Sequence, residues 1–248
     1  MQKADDHLRV VATNDGSRTL ESVAFGQAYG SQHGAAAEAR HVFLEGAGVQ
    51  ARLTSGLETQ VLEVGLGTGL NFLLTADAAL QAGAALTYRA FEWRLPPAGM
   101  LAELTYGTLL KSPGLWDAWL AWAREVEETM PSGGVTAVSL AGVQLEVAWG
   151  DAWPDHQPSP GAADLLARGT VDAVYHDAFS PQANPALWEE AFLHALASAL
   201  RPGGRLATYS VAGRVRRALQ DCGLATMKAP GPTGGKAEML QAVKPERS

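Results

Sequence analysis

The 248-residue chain has a single cysteine, Cys222, which excludes a disulfide framework. Its six histidines form no cluster with cysteine at the spacing of metal ligands, so the sequence predicts no metal site. No apolar run reaches the roughly 18 residues of a membrane span, and the first ten residues lack the apolar segment of a signal peptide. These absences predict a cytoplasmic protein of a reducing compartment, with no membrane partner.

Positive charge is scarce over the chain as a whole, which has a formal net charge of -7. That balance argues against a nucleic-acid partner. The last 48 residues reverse it, because they carry nine basic and three acidic side chains, whereas the residues before them carry a net charge of -13. Such a basic C-terminal region is either a phosphate-facing surface or a solvated helix face, and charge alone does not separate the two.

Glycines alternate with other residues in the stretch VLEVGLGTGLNFLL, residues 61–74. The pattern predicts a strand, a tight turn at Gly65, Gly67 and Gly69, and a helix whose first amides face the turn. Glycine lets the backbone approach a ligand where a Cβ would collide. Glu63 is expected at the mouth of the turn, where its carboxylate would accept hydrogen bonds from a ligand and repel a dinucleotide pyrophosphate. A turn that binds nothing is the structural alternative.

The spacing E-x-G-x-G-x-G resembles the first motif of class I methyltransferases that use S-adenosyl-L-methionine (SAM). The next predicted strand, LTYRAFEW, places Glu92 23 residues after Gly69. An acid at that position can accept hydrogen bonds from both ribose hydroxyls of a nucleoside, although an ordinary surface position is the alternative. Asp151 follows a later strand and is expected to bind the adenine amino group.

The order of predicted elements indicates an α/β protein. Residues 1–60 are expected to form an N-terminal extension, with a β-hairpin over residues 8–23 and a helix over residues 35–48. Residues 61–248 alternate strands and helices around a helical insert at about 96–134. Three tryptophans of the insert recur at helical spacing, which favours core packing over stacking on bases. The strand count matches the seven-stranded, Rossmann-like sheet of class I methyltransferases, whose final strand is antiparallel.

Asp177 and Phe179 close a buried strand predicted over VDAVYHDAF, residues 171–179. Ligands of open α/β sheets bind outside the carboxyl ends of the strands, so both side chains are expected to face the reacting group. Asn184 is the predicted N-cap of a helix over residues 186–200. A strand over residues 205–211, a helix over 213–223 and a last strand over 237–243 follow.

Longer motifs resemble the methyltransferase domain of the MnmC family, bacterial enzymes that complete 5-methylaminomethyl-2-thiouridine at the wobble position of tRNA. The most specific motifs are TGLNFL, residues 68–73, and D-x-F-x-P-x-x-NP-x-x-W, residues 177–188. Shorter motifs extend the resemblance from residue 25 to residue 239, among them F-x-x-x-Y-x-S, E-x-R-x-VFL, RPGG-x-LAT, VRR-x-LQD-x-G and K-x-EM. The resemblance therefore covers nearly the whole chain.

The MnmC resemblance implies SAM-dependent N-methylation of the 5-aminomethyl group of wobble uridine. Asp177 would orient the amine and accept its proton, and Phe179 would stack on the uracil unless it is a core residue. The residues implied for SAM are Glu63, Gly65, Gly67, Gly69, Asn71, Glu92 and Asp151. Those implied for the phosphates of the tRNA anticodon stem-loop are Arg214, Arg216, Arg217 and Lys236.

The FAD-dependent oxidase domain of bifunctional MnmC enzymes does not follow within the 248 residues. The expectation is therefore a stand-alone methyltransferase that takes aminomethyluridine directly. Three other functions stay open: an aminopropyltransferase similar to spermidine synthase, a methyltransferase of small amines, and a SAM- or RNA-binding module without activity. The basic C-terminal region and the motif over residues 177–188 favour the tRNA enzyme over these.

Overall fold

A computed structural model describes residues 7–246, so Arg247 of the basic C-terminal region lies outside the described residues. Within that range the chain forms eleven strands. The strands are β1 (Leu8–Ala12), β2 (Arg18–Ser22), β3 (Gln27–Ala28), β4 (Thr59–Val64), β5 (Leu86–Glu92), β6 (Val135–Leu140), β7 (Val143–Trp149), β8 (Val171–His176), β9 (Leu200–Thr208), β10 (Ala225–Pro230) and β11 (Glu238–Val243).

Eight of these strands form one central sheet, in the order β10-β11-β9-β8-β4-β5-β7-β6. The inner strands β9, β8, β4, β5 and β7 are parallel, and β11 runs antiparallel to β9. This is the predicted α/β class, with one strand more than the seven expected. The additional strand is the edge strand β10, whose side chains are mostly exposed and so lack the apolar alternation that marks a half-buried strand.

Eight α-helices lie in the described range, and most of them cover the sheet or lead into it. The helices are α1 (Ala35–Glu38), α2 (Val49–Thr54), α3 (Leu70–Ala82), α4 (Ala98–Glu103), α5 (Leu115–Thr129), α6 (Pro160–Leu165), α7 (Glu190–Ala199) and α8 (Gly213–Asp221). A π-helix, Ala39–Glu45, continues α1, and 3-10 turns occupy Tyr106–Leu109, Pro154–His156 and Pro185–Trp188. None of these helices is long and apolar enough to cross a membrane.

Two helix predictions need correction. The helix expected over residues 186–200 begins only at Glu190, because Glu189 is extended (φ -72°, ψ 152°) and a 3-10 turn precedes it. The side chain of Asn184 makes no capping hydrogen bond there. Leu200 already belongs to β9, so the segment expected to end the helix instead opens the strand. The helix expected over residues 35–48 is α1 with its π-helical continuation.

The helical insert packs into the core through its tryptophans. Trp119 has no exposed surface and Trp122 is 6% exposed, with ring centroids 5.2 Å apart. Core packing was the interpretation favoured for these side chains, and the burial confirms it.

The N-terminal residues form a small antiparallel sheet, β1-β2-β3, separate from the central one. The hairpin predicted over residues 8–23 is confirmed, with Leu8 paired to Ser22. Gln27 of β3 hydrogen-bonds to Ser180 through both its amide nitrogen and its amide oxygen. These contacts fix the small sheet beside the loop that follows β8, while the division at residue 60 stays a prediction.

Candidate functional site

A cavity of about 1070 Å³ opens at the carboxyl ends of the parallel strands. We call it the central cavity. Its floor is the turn between β4 and α3, and its walls are the residues that follow β5, β7 and β8 together with N-terminal residues 24–39. This is the edge of an open α/β sheet where ligands bind, as the sequence predicted for Asp177 and Phe179.

The glycine turn has the predicted strand-turn-helix geometry, but its three glycines serve different neighbours. All three have positive φ, at 91° for Gly65, 53° for Gly67 and 78° for Gly69. Gly65 and Gly67 line the central cavity, whereas Gly69 does not. A Cβ on Gly69 would overlap the ring of Trp119, so this glycine makes room for the helical insert. The cofactor role expected for Gly69 stays a prediction.

Replacing Gly69 by alanine should therefore destabilise the fold more than the same change at Gly83. Both glycines are left-handed ends of α3, and alanine in that conformation costs roughly 1 to 2 kcal/mol. No atom lies within 4 Å of a Cβ on Gly83, so Gly83→Ala isolates the backbone term. Overpacking against Trp119 should add roughly 1 to 3 kcal/mol at Gly69. Urea unfolding of the two variants measures the difference, and equal losses would contradict this account.

Glu92 ends β5 and ties that strand to the glycine turn. Its Oε2 accepts a hydrogen bond from the Gly67 N–H at 2.6 Å, and its Oε1 accepts one from the Arg94 N–H at 2.9 Å. Burial raises the pKa of this carboxyl, and the backbone N–H groups oppose that rise. Glu92 also lines the central cavity, where a carboxylate oxygen is the type of acceptor that a ribose hydroxyl needs. Its ribose role stays a prediction.

Glu63 lies beneath the cavity and not at its mouth. It is fully buried, and it does not line the central cavity. Its two oxygens accept hydrogen bonds from Asn71 Nδ2 at 2.7 Å and from the Tyr88 hydroxyl at 2.9 Å. Burial raises the pKa of Glu63 to about 8. The expected contact of Glu63 with a ligand is thus corrected: β4 points this side chain into the core, where it holds Asn71.

Asn71 connects Glu63 to Asp177. One amide nitrogen, Nδ2, donates to Glu63 and, at 2.7 Å, to Asp177 Oδ2. Burial, followed by the negative charges of Glu38 and Glu63, holds the pKa of Asp177 well above its usual range. Asn71 and Asp177 both line the cavity, so the structure brings together a half-buried acid and the first turn of α3.

Aromatic rings surround the loop that follows Asp177. Phe179 stacks on Phe25 with ring centroids 4.5 Å apart, and Tyr29 meets it edge-on at 5.0 Å. The backbone of the loop is fixed by Trp188 Nε1, which donates to the Phe179 carbonyl, and by the Tyr209 hydroxyl, which donates to the Ala178 carbonyl. Phe179 lies at the wall of the cavity, half-buried, and its stacking on a base stays a prediction.

The four basic residues expected at tRNA phosphates divide into two groups. Arg214, Arg216 and Arg217 are exposed on α8 and lie outside the central cavity. Lys236 instead lines the cavity, with its Nζ 3.7 Å from the centre of the Tyr209 ring. Burial lowers the pKa of Lys236, while the charges of Glu38 and Asp177 raise it. The structure therefore groups Lys236 with Asp177 and not with the arginines.

The charge of the cavity wall tests whether SAM fits. Among the described lining residues four are acids and two are cations. The acids are Glu38, Glu92, Asp151 and Asp177, and the cations are Arg94 and Lys236. An acidic wall suits a cationic sulfonium and an amine, and it opposes a pyrophosphate. Asp151, exposed at the rim, accepts the Trp153 N–H at 3.0 Å through Oδ1.

Sequence reasoning missed three residues of this site. Glu38, Tyr29 and Tyr209 all line the cavity, yet none was assigned a role. Glu38 and Tyr29 belong to the motifs E-x-R-x-VFL and F-x-x-x-Y-x-S, which were the available signal. Nothing in their spacing placed these N-terminal motifs opposite Asp177.

Solved structures share this fold. The crystal structure of MNMC2 from Aquifex aeolicus superimposes with a TM-score of 0.73 at 23% identity, over 98% of this chain and 74% of that one. A spermidine synthase in complex with a transition-state analogue gives a TM-score of 0.52 at 14% identity, over 99% and 73% of the two chains.

Curated relatives include two proteins named tRNA 5-methylaminomethyl-2-thiouridine biosynthesis bifunctional protein MnmC. The protein of Chromohalobacter salexigens is 34% identical over 88% of this chain and 30% of its own length, and that of Aeromonas hydrophila is 34% identical over 92% and 34%. The chain thus spans about a third of these relatives. Residues 118–245, about half of the chain, match the S-adenosyl-L-methionine-dependent methyltransferase family. The chain therefore belongs to that family of methyltransferases, and SAM is its cofactor.

Proposed function

We propose that the protein transfers a methyl group from SAM to the 5-aminomethyl group of the wobble uridine in tRNA, giving the 5-methylaminomethyl group. The observation that carries this is Asp177, a half-buried acid that directly follows β8 and lines the same cavity as the glycine turn. The names of the MnmC relatives supply the nucleoside. The tRNA anticodon stem-loop is the partner that this nucleoside requires, and the cytoplasm is the compartment in which we place the reaction.

The chemistry requires that an ammonium lose a proton. An alkylamine has a pKa near ~10.4, so at neutral pH only on the order of one molecule in 10³ is uncharged. When bound, SAM supplies an electrophilic methyl carbon. The N–C bond forms as the C–S bond breaks with its electron pair left on sulfur, and the amine proton passes to a base.

Asp177 is suited to both tasks that this chemistry sets. Its ionised carboxylate binds the ammonium, and its raised pKa brings its basicity closer to that of the amine than an exposed aspartate would have. Asn71 Nδ2 donates a hydrogen bond to Asp177 Oδ2 at 2.7 Å, so the orientation of the carboxylate is fixed before substrate arrives. Glu63 Oε1 in turn accepts a hydrogen bond from Asn71 Nδ2 at 2.7 Å, on the core side of the cavity.

The alternative of an aminopropyltransferase shares the fold, and it also alkylates an amine. The two activities differ in the compound that donates the transferred group. SAM and decarboxylated SAM differ by one carboxylate, and each can be offered to the protein with tRNA from cells that lack the terminal methylation. We expect label from the methyl group of SAM in the tRNA and no transfer from decarboxylated SAM. The reverse pattern would overturn the proposal.

We further propose that the exposed arginines of α8 contact tRNA phosphates. Replacing Arg216 and Arg217 together by alanine should weaken tRNA binding and leave SAM affinity unchanged. Each lost phosphate contact should lower the slope of log affinity against log salt by about 0.7 to 0.9. Arg124→Ala, an exposed arginine on α5, is the control. Filter binding at several salt concentrations gives the slopes. If the double variant keeps the tRNA affinity and the slope of the parent, these arginines belong to a solvated helix face.

A further inference from the structure

Glu38 is a buried acid on α1 that faces the same cavity as Asp177 and that the reaction scheme has not yet used. Glu38 is only 8% exposed. Its Oε2 accepts the Ser31 N–H at 3.0 Å. Its Oε1 has no hydrogen-bond partner among residues 7–246, and this atom is not among the fully buried ones. The free oxygen therefore belongs to the part of Glu38 that lines the central cavity.

Asp177, which is half-buried, lines the same cavity and also has one carboxylate oxygen without a partner. Asn71 occupies Oδ2, and Oδ1 has no hydrogen-bond partner in the described part of the chain. A buried carboxylate is costly unless it is paired with a donor or a positive charge. Glu38 is buried and Asp177 is half-buried, and both carboxylates have an oxygen without a partner on one cavity. This arrangement favours a cation with several N–H donors.

Neither carboxylate forms an ion pair with a side chain of residues 7–246. The charge of Lys236 acts on both acids, yet its Nζ lies over the Tyr209 ring. Within residues 7–246 it forms no ion pair shorter than 4.0 Å with Glu38 or Asp177. Both carboxylates are therefore left without a paired cation in the described part of the chain.

We infer that Glu38 is a second carboxylate that binds the substrate ammonium together with Asp177; this inference rests on the proposed function. A primary ammonium has three N–H donors. Asp177 accepts a hydrogen bond from one N–H and then takes its proton. Glu38 accepts a hydrogen bond from a second N–H, whose proton stays on the nitrogen. The nitrogen is then held against rotation, so that the lone pair released by the proton points at the methyl carbon. The N-terminal segment thereby completes the amine site.

Glutamine at position 38 separates this role from a structural one. Glu38→Gln keeps an oxygen that can accept the Ser31 N–H, and it keeps the size of the side chain, but it removes the negative charge. Because burial raises the pKa of Glu38, removing its charge is not expected to lower the melting temperature. Glu45→Gln, an exposed acid seven residues further along the same helical segment, is the matched control.

Binding in the absence of chemistry gives the readout. The parent and both variants are saturated with S-adenosylhomocysteine and titrated with tRNA that carries 5-aminomethyluridine, and separately with the same tRNA carrying unmodified uridine. The ratio of the two affinities measures recognition of the amine. We expect Glu38→Gln to lower this ratio on the order of tenfold, and Glu45→Gln to leave it unchanged.

Three other results would overturn the inference in distinguishable ways. A parent ratio near one would remove the proposed function together with the role of Glu38. A parent ratio well above one that Glu38→Gln retains would remove only the role of Glu38. A Glu38→Gln variant that loses S-adenosylhomocysteine affinity and melts well below the parent would assign Glu38 to holding the loop at Ser31.

Discussion

Asp177→Asn is expected to slow methyl transfer by a factor of ~10² to 10⁴ while SAM affinity stays at the parent value. The amide keeps the size of the carboxylate and an oxygen for the Asn71 N–H, but it neither neutralises an ammonium nor accepts its proton. Single-turnover methylation of aminomethyluridine tRNA measures the rate. Asp164→Asn, an exposed acid on α6, is the control. A near-parent rate in Asp177→Asn would reduce this residue to a structural acid of the loop.

The pH dependence of the same variant has a definite sign. Burial and the charges of Glu38 and Glu63 raise the pKa of Asp177, so lowering the pH protonates this base and slows the parent enzyme. The parent rate should rise with pH between about 6.5 and about 9.5, as the amine loses its proton. In Asp177→Asn this base is absent, so the amine must lose its proton to water. The deficit of the variant should therefore shrink as the pH rises toward the pKa of the amine.

Asp177 should also reduce stability at neutral pH. Its folded-state pKa is raised, so the folded protein binds the proton more tightly than the unfolded chain does. The favourable contribution is complete below the unfolded pKa and is lost as the pH rises through the folded pKa. Asp177→Asn should accordingly melt at or above the parent temperature at neutral pH, which is the opposite of what loss of a structural acid predicts. Thermal melts from acid to neutral pH test this.

Glu92→Ala is expected to weaken SAM binding about tenfold to a hundredfold, because hydrogen bonds to a charged acceptor contribute roughly 1.5 to 3 kcal/mol. The structure adds a second cause, since the carboxylate also holds the Gly67 and Arg94 amides. Glu92→Gln keeps one acceptor oxygen and should lose less affinity than Glu92→Ala. Calorimetric titration with SAM ranks the two variants. Parent affinity in Glu92→Ala would place this carboxylate outside the cofactor site.

Much of the fold follows from local sequence patterns. The helix predicted after the glycine turn is confirmed as α3, and Gly69 and Gly83 end its apolar run in left-handed conformations. The parallel strands were recognisable as buried apolar runs. The edge strand β10 was missed because exposure on both faces removes the apolar pattern. The extended residue Glu189, which delays α7, reflects tertiary contacts of Trp188 with the loop at Phe179, and no local signal marks it.

The site was predictable where motif and strand end coincide, as at Glu92, Asp151 and Asp177. Glu63 was misplaced because a strand residue two positions before the turn can point either to the ligand or to the core, and only the positions of Asn71 and Tyr88 decide. The packing of Trp119 against Gly69 was not predictable, because that ring comes from a distant insert. Glu38 and Lys236 reach the cavity from opposite ends of the chain, which spacing in the sequence does not reveal.

The most direct test of the proposed reaction is to locate the transferred methyl group within the nucleoside. The protein is incubated with methyl-labelled SAM and tRNA that carries 5-aminomethyl-2-thiouridine, and the wobble nucleoside is fragmented by mass spectrometry. The proposal predicts one labelled methyl on the aminomethyl nitrogen of that nucleoside, and none when the tRNA carries unmodified uridine there. A label on another nucleoside, on the ribose, or in no nucleoside at all would contradict it.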